Sequence, residues 1–205
     1  MMIYKNLLTK DLKNEKSFEE LLMPYDNVPK GKNSSIHSSI VRINKAEEQA
    51  RLVPVEIKEI ITYTNEFLKI LGMSPIENPI IDLVRSKLDY KQIKNESGAN
   101  DERDIVWMKF TQDNYLGVVA ASSDVNFNIP TSKDDYNIKK NGKWVYNTSG
   151  IIIHHLNKKW NKDFVLIFPL VNIPQGLQRG DIERGIGNYL ISNQVPILDF
   201  YSHNY

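Results

Sequence analysis

A chain of 205 residues, 41% hydrophobic and 25% charged, carries enough apolar side chains to fill one sizeable core, which excludes wholesale disorder and favours one main domain with extensions. Its formal net charge of +1 excludes a global field that would draw it to nucleic acid or acidic lipid, so any charged partner has to be met by a local patch. The absence of cysteine excludes disulfides, thiolate zinc sites and cysteine nucleophiles, and fits a reducing compartment.

From Met1 to about residue 53 the pattern is irregular, with a polar loop at Pro29–Ser35, and reads as an N-terminal arm with short helical pieces. Its opening residues meet charge too early for a signal peptide. No apolar run in the chain approaches the roughly 20 residues of a membrane helix, so a soluble, cytoplasmic protein that does not enter a membrane is expected. Residues 54–205 read as an α/β domain. Pro54 suits a first helical turn, and Ile57, Ile60, Ile61, Thr64, Phe67, Leu68 and Leu71 recur at helical spacing until Gly72. Asn78 and Pro79 predict a second helix with Ile80, Ile81, Val84 and Leu88 as its buried stripe.

The segment 94–103 is polar, and Asp104–Phe110 then reads as a strand that a turn at Gln112-Asp113-Asn114 pairs with a second strand from Tyr115 to Val119. Asn126–Asn147 predicts a long exposed excursion turning at Asn141-Gly142. Ser149 can cap a helix over Gly150–Trp160, although the β-branched run Ile151-Ile152-Ile153 leaves a strand open. Phe164–Phe168 is a continuous apolar run, as a central strand covered on both faces requires. An amphipathic helix over Arg179–Ser192, with Ile182, Ile186, Tyr189 and Leu190 inward, leads to a last strand over Val195–Tyr201. The expected fold class is α/β, a mixed central sheet flanked by helices.

The order from residue 78 on, together with Glu102-Arg103-Asp104-Ile105-Val106, Tyr115-Leu116-Gly117-Val118-Val119 and Phe127-Asn128-Ile129-Pro130, resembles the core of the PD-(D/E)XK nuclease superfamily, particularly type II restriction endonucleases. The resemblance implies a restriction-endonuclease-like fold and DNA as partner. It also implies Mg²⁺ held by an aspartate at the start of the first strand, Asp104, and by an acid of an acid-x-lysine motif on the adjoining strand. Here Ala120-Ala121-Ser122-Ser123-Asp124 stands at that motif, with Ser123 in the place of the lysine, Asp124 as a displaced acid and metal ligand, and Glu183 as a reserve acid. A two-carboxylate site needs both acids to neutralise its cation. The resemblance therefore leaves two outcomes, a Mg²⁺-dependent phosphodiester hydrolase or a catalytically silent DNA binder. The literal acid-x-lysine, Glu56-Ile57-Lys58, lies in the first helix and reads as an exposed face.

Lys133, Lys139, Lys140, Lys143, Lys158 and Lys159, interleaved with Trp144, Tyr146 and Trp160, form a candidate DNA-binding patch in which basic groups meet phosphates and rings stack on bases. Adjacent His154 and His155 lack the spacing of a zinc pair. On the last strand Asp199, Tyr201 and His203 alternate onto one face, as a half-solvated edge or a cleft wall. Arg179, Asp181, Glu183 and Arg184 open the penultimate helix, where acids complement its dipole. The alternative function is a protein-binding inhibitor or host-interaction factor of a mobile element, with a protein partner in place of DNA; a homodimer is a further candidate assembly.

Overall fold

The computed structural model of the protein describes residues 46–86, 89–99, 104–123, 137–140, 143–146 and 148–200. Their elements are, in chain order, α1 (Ile57–Ile70), β1 (Ile80–Asp82), α2 (Tyr90–Ser97), β2 (Ile105–Phe110), β3 (Leu116–Ser122), β4 (Asn137–Lys140), β5 (Lys143–Tyr146), α3 (Thr148–His155), β6 (Phe164–Pro169), α4 (Arg179–Ser192) and β7 (Ile197–Phe200). Most of the expected arm, residues 1–45, lies outside the described residues.

Five strands form one sheet in the order β1-β6-β2-β3-β7. The first three pairings are antiparallel, and β7 joins β3 in parallel. The apolar run of β6 lies between β1 and β2, with Val165, Leu166, Ile167 and Phe168 wholly buried, as a strand covered on both faces must be. Alternate side chains feed two cores. Val106, Met108, Leu166 and Phe168 pack under α1 and α4 through Phe67, Leu68, Ile182, Ile186 and Leu190. Ile105, Trp107, Val165 and Ile167 pack on the opposite side with Ile93 of α2 and Ile152 and Ile153 of α3. The protein is therefore a mixed α/β fold, a central sheet flanked by helices on both faces.

Two glycines set the fit of these layers. Lys109 pairs with Val118 and Phe110 with Leu116, leaving Gly117 as the extra residue of a bulge. The bulge reverses the alternation, so Leu116 joins the first core and Val118 the second. A Cβ on Gly117 would stand 2.3 Å from Cζ3 of Trp160, a contact no side chain tolerates. On α4, a Cβ on Gly185 would stand 2.2 Å from Cζ of Phe67, so α1 and α4 approach each other through this position. Beside it the rings of Phe67 and Tyr189 lie 5.7 Å apart, and the Tyr189 hydroxyl donates to Glu66 Oε2 at 3.0 Å.

Four expectations need correction. Residues 78–86 form no helix: Ile80, Ile81 and Asp82 pair with Leu166, Val165 and Phe164 of β6, and the chain then turns; Leu88 lies outside the described residues. Ile81 and Leu83 are buried while Ile80 and Val84 are exposed, a period of two, so the apolar stripe belongs to a sheet edge. The helix lies later, in α2, at the border of the segment read as polar. Asp89 caps it by accepting the Lys91 N–H at 2.9 Å, and Gly98 ends it in the left-handed region at φ 68°. The first helix starts at Ile57, beyond Pro54, and Glu56 is its N-cap. The helix after Ser149 begins at Thr148 and stops at His155; Trp160 instead bridges to Thr111.

Part of the expected arm packs on the domain. Ala46 is wholly buried in the second core, the Tyr115 hydroxyl donates to the carbonyls of Ala50 and Leu52 at 3.2 and 3.1 Å, and Glu47 pairs with His155 Nε2 at 2.7 Å. Within the expected excursion, β4 and β5 pair with each other as a two-stranded antiparallel sheet, separate from the main sheet among the described residues; the turn expected at Asn141-Gly142 lies outside the described residues.

Candidate functional site

The N-terminus of α4 meets the end of β3 and the start of β2. Gln178 caps α4 by a reciprocal box with Asp181, whose Oδ2 accepts the Gln178 N–H at 2.8 Å. This fixes the first turn, and the i, i+4 spacing sets Arg179 and Glu183 on one side of the helix. Asp104 immediately precedes β2, and the register of Ile105 with Ser122 places it level with the end of β3. Arg179 Nη1 donates to Asp104 Oδ1 at 2.7 Å. Both partners keep substantial solvent contact, so the pair is an accessible one.

Glu183 is different: only 2% of it is exposed. Burial pushes its carboxyl up from 4.5 to about 7, and the nearby Asp199 charge adds to the rise; the Ala121 N–H, which it accepts, and the charges of Arg184 and Arg179 oppose it. Its Oε1 has no hydrogen-bond partner among the described residues. Asp199, also buried, accepts the Ser149 hydroxyl at Oδ2 over 2.7 Å, tying β7 to the first turn of α3. Asp199 is thus an interior group, not the half-solvated edge expected of it; Tyr201 and His203 lie outside the described residues.

Of the residues singled out from the sequence, Asp104 and Glu183 come to the same end of the sheet, linked through Arg179, which pairs with the first and whose charge acts on the second. Ser123 is exposed on the bend that follows β3, while Asp124 and Lys133 lie outside the described residues. Lys139 and Lys140 are on β4, Lys143 and Trp144 on β5, and the register sets Lys139 opposite Trp144 and Lys140 opposite Lys143. Lys158 pairs with Asp113 and lies over the Tyr115 ring at 3.9 Å. Lys159 is exposed, and Trp160 is buried in the second core with Lys109 Nζ 4.8 Å from its ring centre.

Among the described residues no group of three or more His, Cys, Asp or Glu could hold a metal ion. Of the acids the resemblance assigns to a metal, Asp104 takes the Arg179 guanidinium, Glu183 is a buried carboxyl pushed up by desolvation, and Asp124 lies outside the described residues. Residue types alone gave no sign of the Ala121 N–H as partner of Glu183 or of Ser149 as partner of Asp199. A single acid inside the apolar run Ile197-Leu198-Asp199-Phe200 was the available signal for Asp199.

No helix among the described residues is long and apolar enough to cross a membrane. Comparison with protein families, curated proteins and solved structures finds no match.

Proposed function

We propose that the protein is a catalytically silent DNA-binding domain on a restriction-endonuclease-like core, and that it grips duplex DNA through the β4–β5 ribbon. The observation that carries this reading is the ribbon's register. It sets Lys140 directly opposite Lys143, and Lys139 opposite Trp144. Like charges in direct cross-strand register repel, and a polyanion relieves that cost. A two-stranded ribbon is also one of the two shapes the DNA major groove admits, and β4–β5 is separate from the main sheet, as an inserted element has to be. The core supports the resemblance through its order: helix α2, Asp104 leading β2, paired β3, interior β6, then α4 and β7. Silence follows from the state of the acids, because the Asp104 carboxylate is neutralised within the chain by Arg179.

The test is fluorescence anisotropy of duplex DNA over a range of salt, in wild type and in the double variant Lys140→Ala, Lys143→Ala. Loss of two phosphate contacts should weaken binding similarly for all sequences and lower the slope of log K against log salt by about 2. An unchanged slope refutes the ribbon as the contact. Cleavage of plasmid by wild type in Mg²⁺, abolished in Asp104→Ala, refutes silence.

A further inference from the structure

We propose that Arg179 is a built-in replacement for a divalent cation at Asp104, a fixed positive charge of the chain itself that keeps metal off this carboxylate. The inference rests on the resemblance drawn for the core and is independent of the ribbon. Arg179 Nη1 is 2.7 Å from Asp104 Oδ1, the distance of a charge-assisted hydrogen bond, so the oxygen a cation would need is taken. The same guanidinium charge reaches Glu183, one turn further along α4. One cation of the chain therefore serves two acids at this end of the sheet.

The guanidinium is well suited to this. It keeps its charge at every physiological pH and presents a planar fork to a carboxylate, whereas a lysine would be a mobile point charge. The capping box at Gln178 and Asp181 fixes the turn from which Arg179 projects, so the charge is delivered by a rigid element. Arg179 is nevertheless 45% exposed on its side chain, and Asp104 33%. Burial does not lock the pair, so removing the arginine leaves a carboxylate open to solvent and to ions.

The experiment is Mn²⁺ titration in metal-free buffer, read by electron paramagnetic resonance of the free ion, with folding checked by circular dichroism. Arg179→Gln should bind Mn²⁺ at least tenfold more tightly than wild type, and the double variant Arg179→Gln, Asp104→Asn should lose that gain. Arg179→Lys, measured beside it as the gentler change, should shift in the same direction by less. No gain in either folded variant overturns the proposal, and so does wild-type Mn²⁺ binding that Asp104→Asn abolishes. DNA affinity in chelator should be equal in wild type and Arg179→Gln; an insensitive Lys140, Lys143 variant would sink the ribbon while leaving the metal result standing.

Discussion

Replacing Glu183 with glutamine keeps the size of the side chain and an oxygen for the Ala121 N–H, and removes the titration. In wild type the folded carboxyl titrates at about 7 against 4.5 for the ordinary group, so folding favours its neutral form. The stabilisation linked to that proton is complete below the unfolded value of 4.5 and is lost as pH rises through about 7. At about 1.4 kcal/mol per pH unit, the rise from 4.5 to about 7 corresponds to about 3 kcal/mol. With 2% of the residue exposed, solvent screening does little to reduce this. Urea denaturation of wild type and Glu183→Gln between pH 4 and 9 measures it. The difference in stability between the two isolates this group, because other titrations are common to both. Glutamine should gain on wild type by about 3 kcal/mol between the acid and alkaline ends. A difference that stays flat across that range would falsify the account of Glu183 as an acid desolvated in the fold.

Two further outcomes probe packing and the N-terminal clasp. Gly185→Ala should lower stability by about 1–3 kcal/mol in thermal melts, because its Cβ meets Phe67, and Phe67→Leu in the same chain should return part of the loss; an undiminished Gly185→Ala contradicts the close approach of α1 and α4. Tyr115→Phe loses the hydroxyl bonds to Ala50 and Leu52 and should cost about 1 kcal/mol, with faster tryptic cleavage after Arg51; cleavage at the wild-type rate shows that the hydroxyl holds nothing.

The main sheet was legible wherever a segment carried its own period. The continuous run at 164–168 announced an interior strand, and the stripe of Ile182, Ile186, Tyr189 and Leu190 announced α4 over the residues it occupies. Around residue 80 the apolar residues satisfy a helical stripe and a strand equally, and the choice is made by β6, whose free edge supplies hydrogen bonds from far along the chain. α2 was hidden for the opposite reason. Its sequence is polar and Ile93 is the buried apolar residue described in it, so only the caps Asp89 and Gly98 marked it. At the site, Glu183 had been read from its place in the first turns of a helix, where acids are commonplace. Its burial follows from a tertiary fact, the seating of α4 over β3, which no local spacing encodes.

The topology of the sheet also orders the events by which it forms. β2 and β3 are joined by a short turn and can close at small entropic cost as soon as both exist. β6 must find β2 and β1 across long stretches of chain, and β7 reaches β3 in parallel only after α4 has crossed over the sheet. The hairpin is thus the natural nucleus, while the α4 corner, with Arg179 on Asp104 and Glu183 beneath it, assembles by late, non-local search. Until that search ends, β3 presents an unpaired, largely apolar edge, and it is in this interval that the chain is most open to joining another copy of itself.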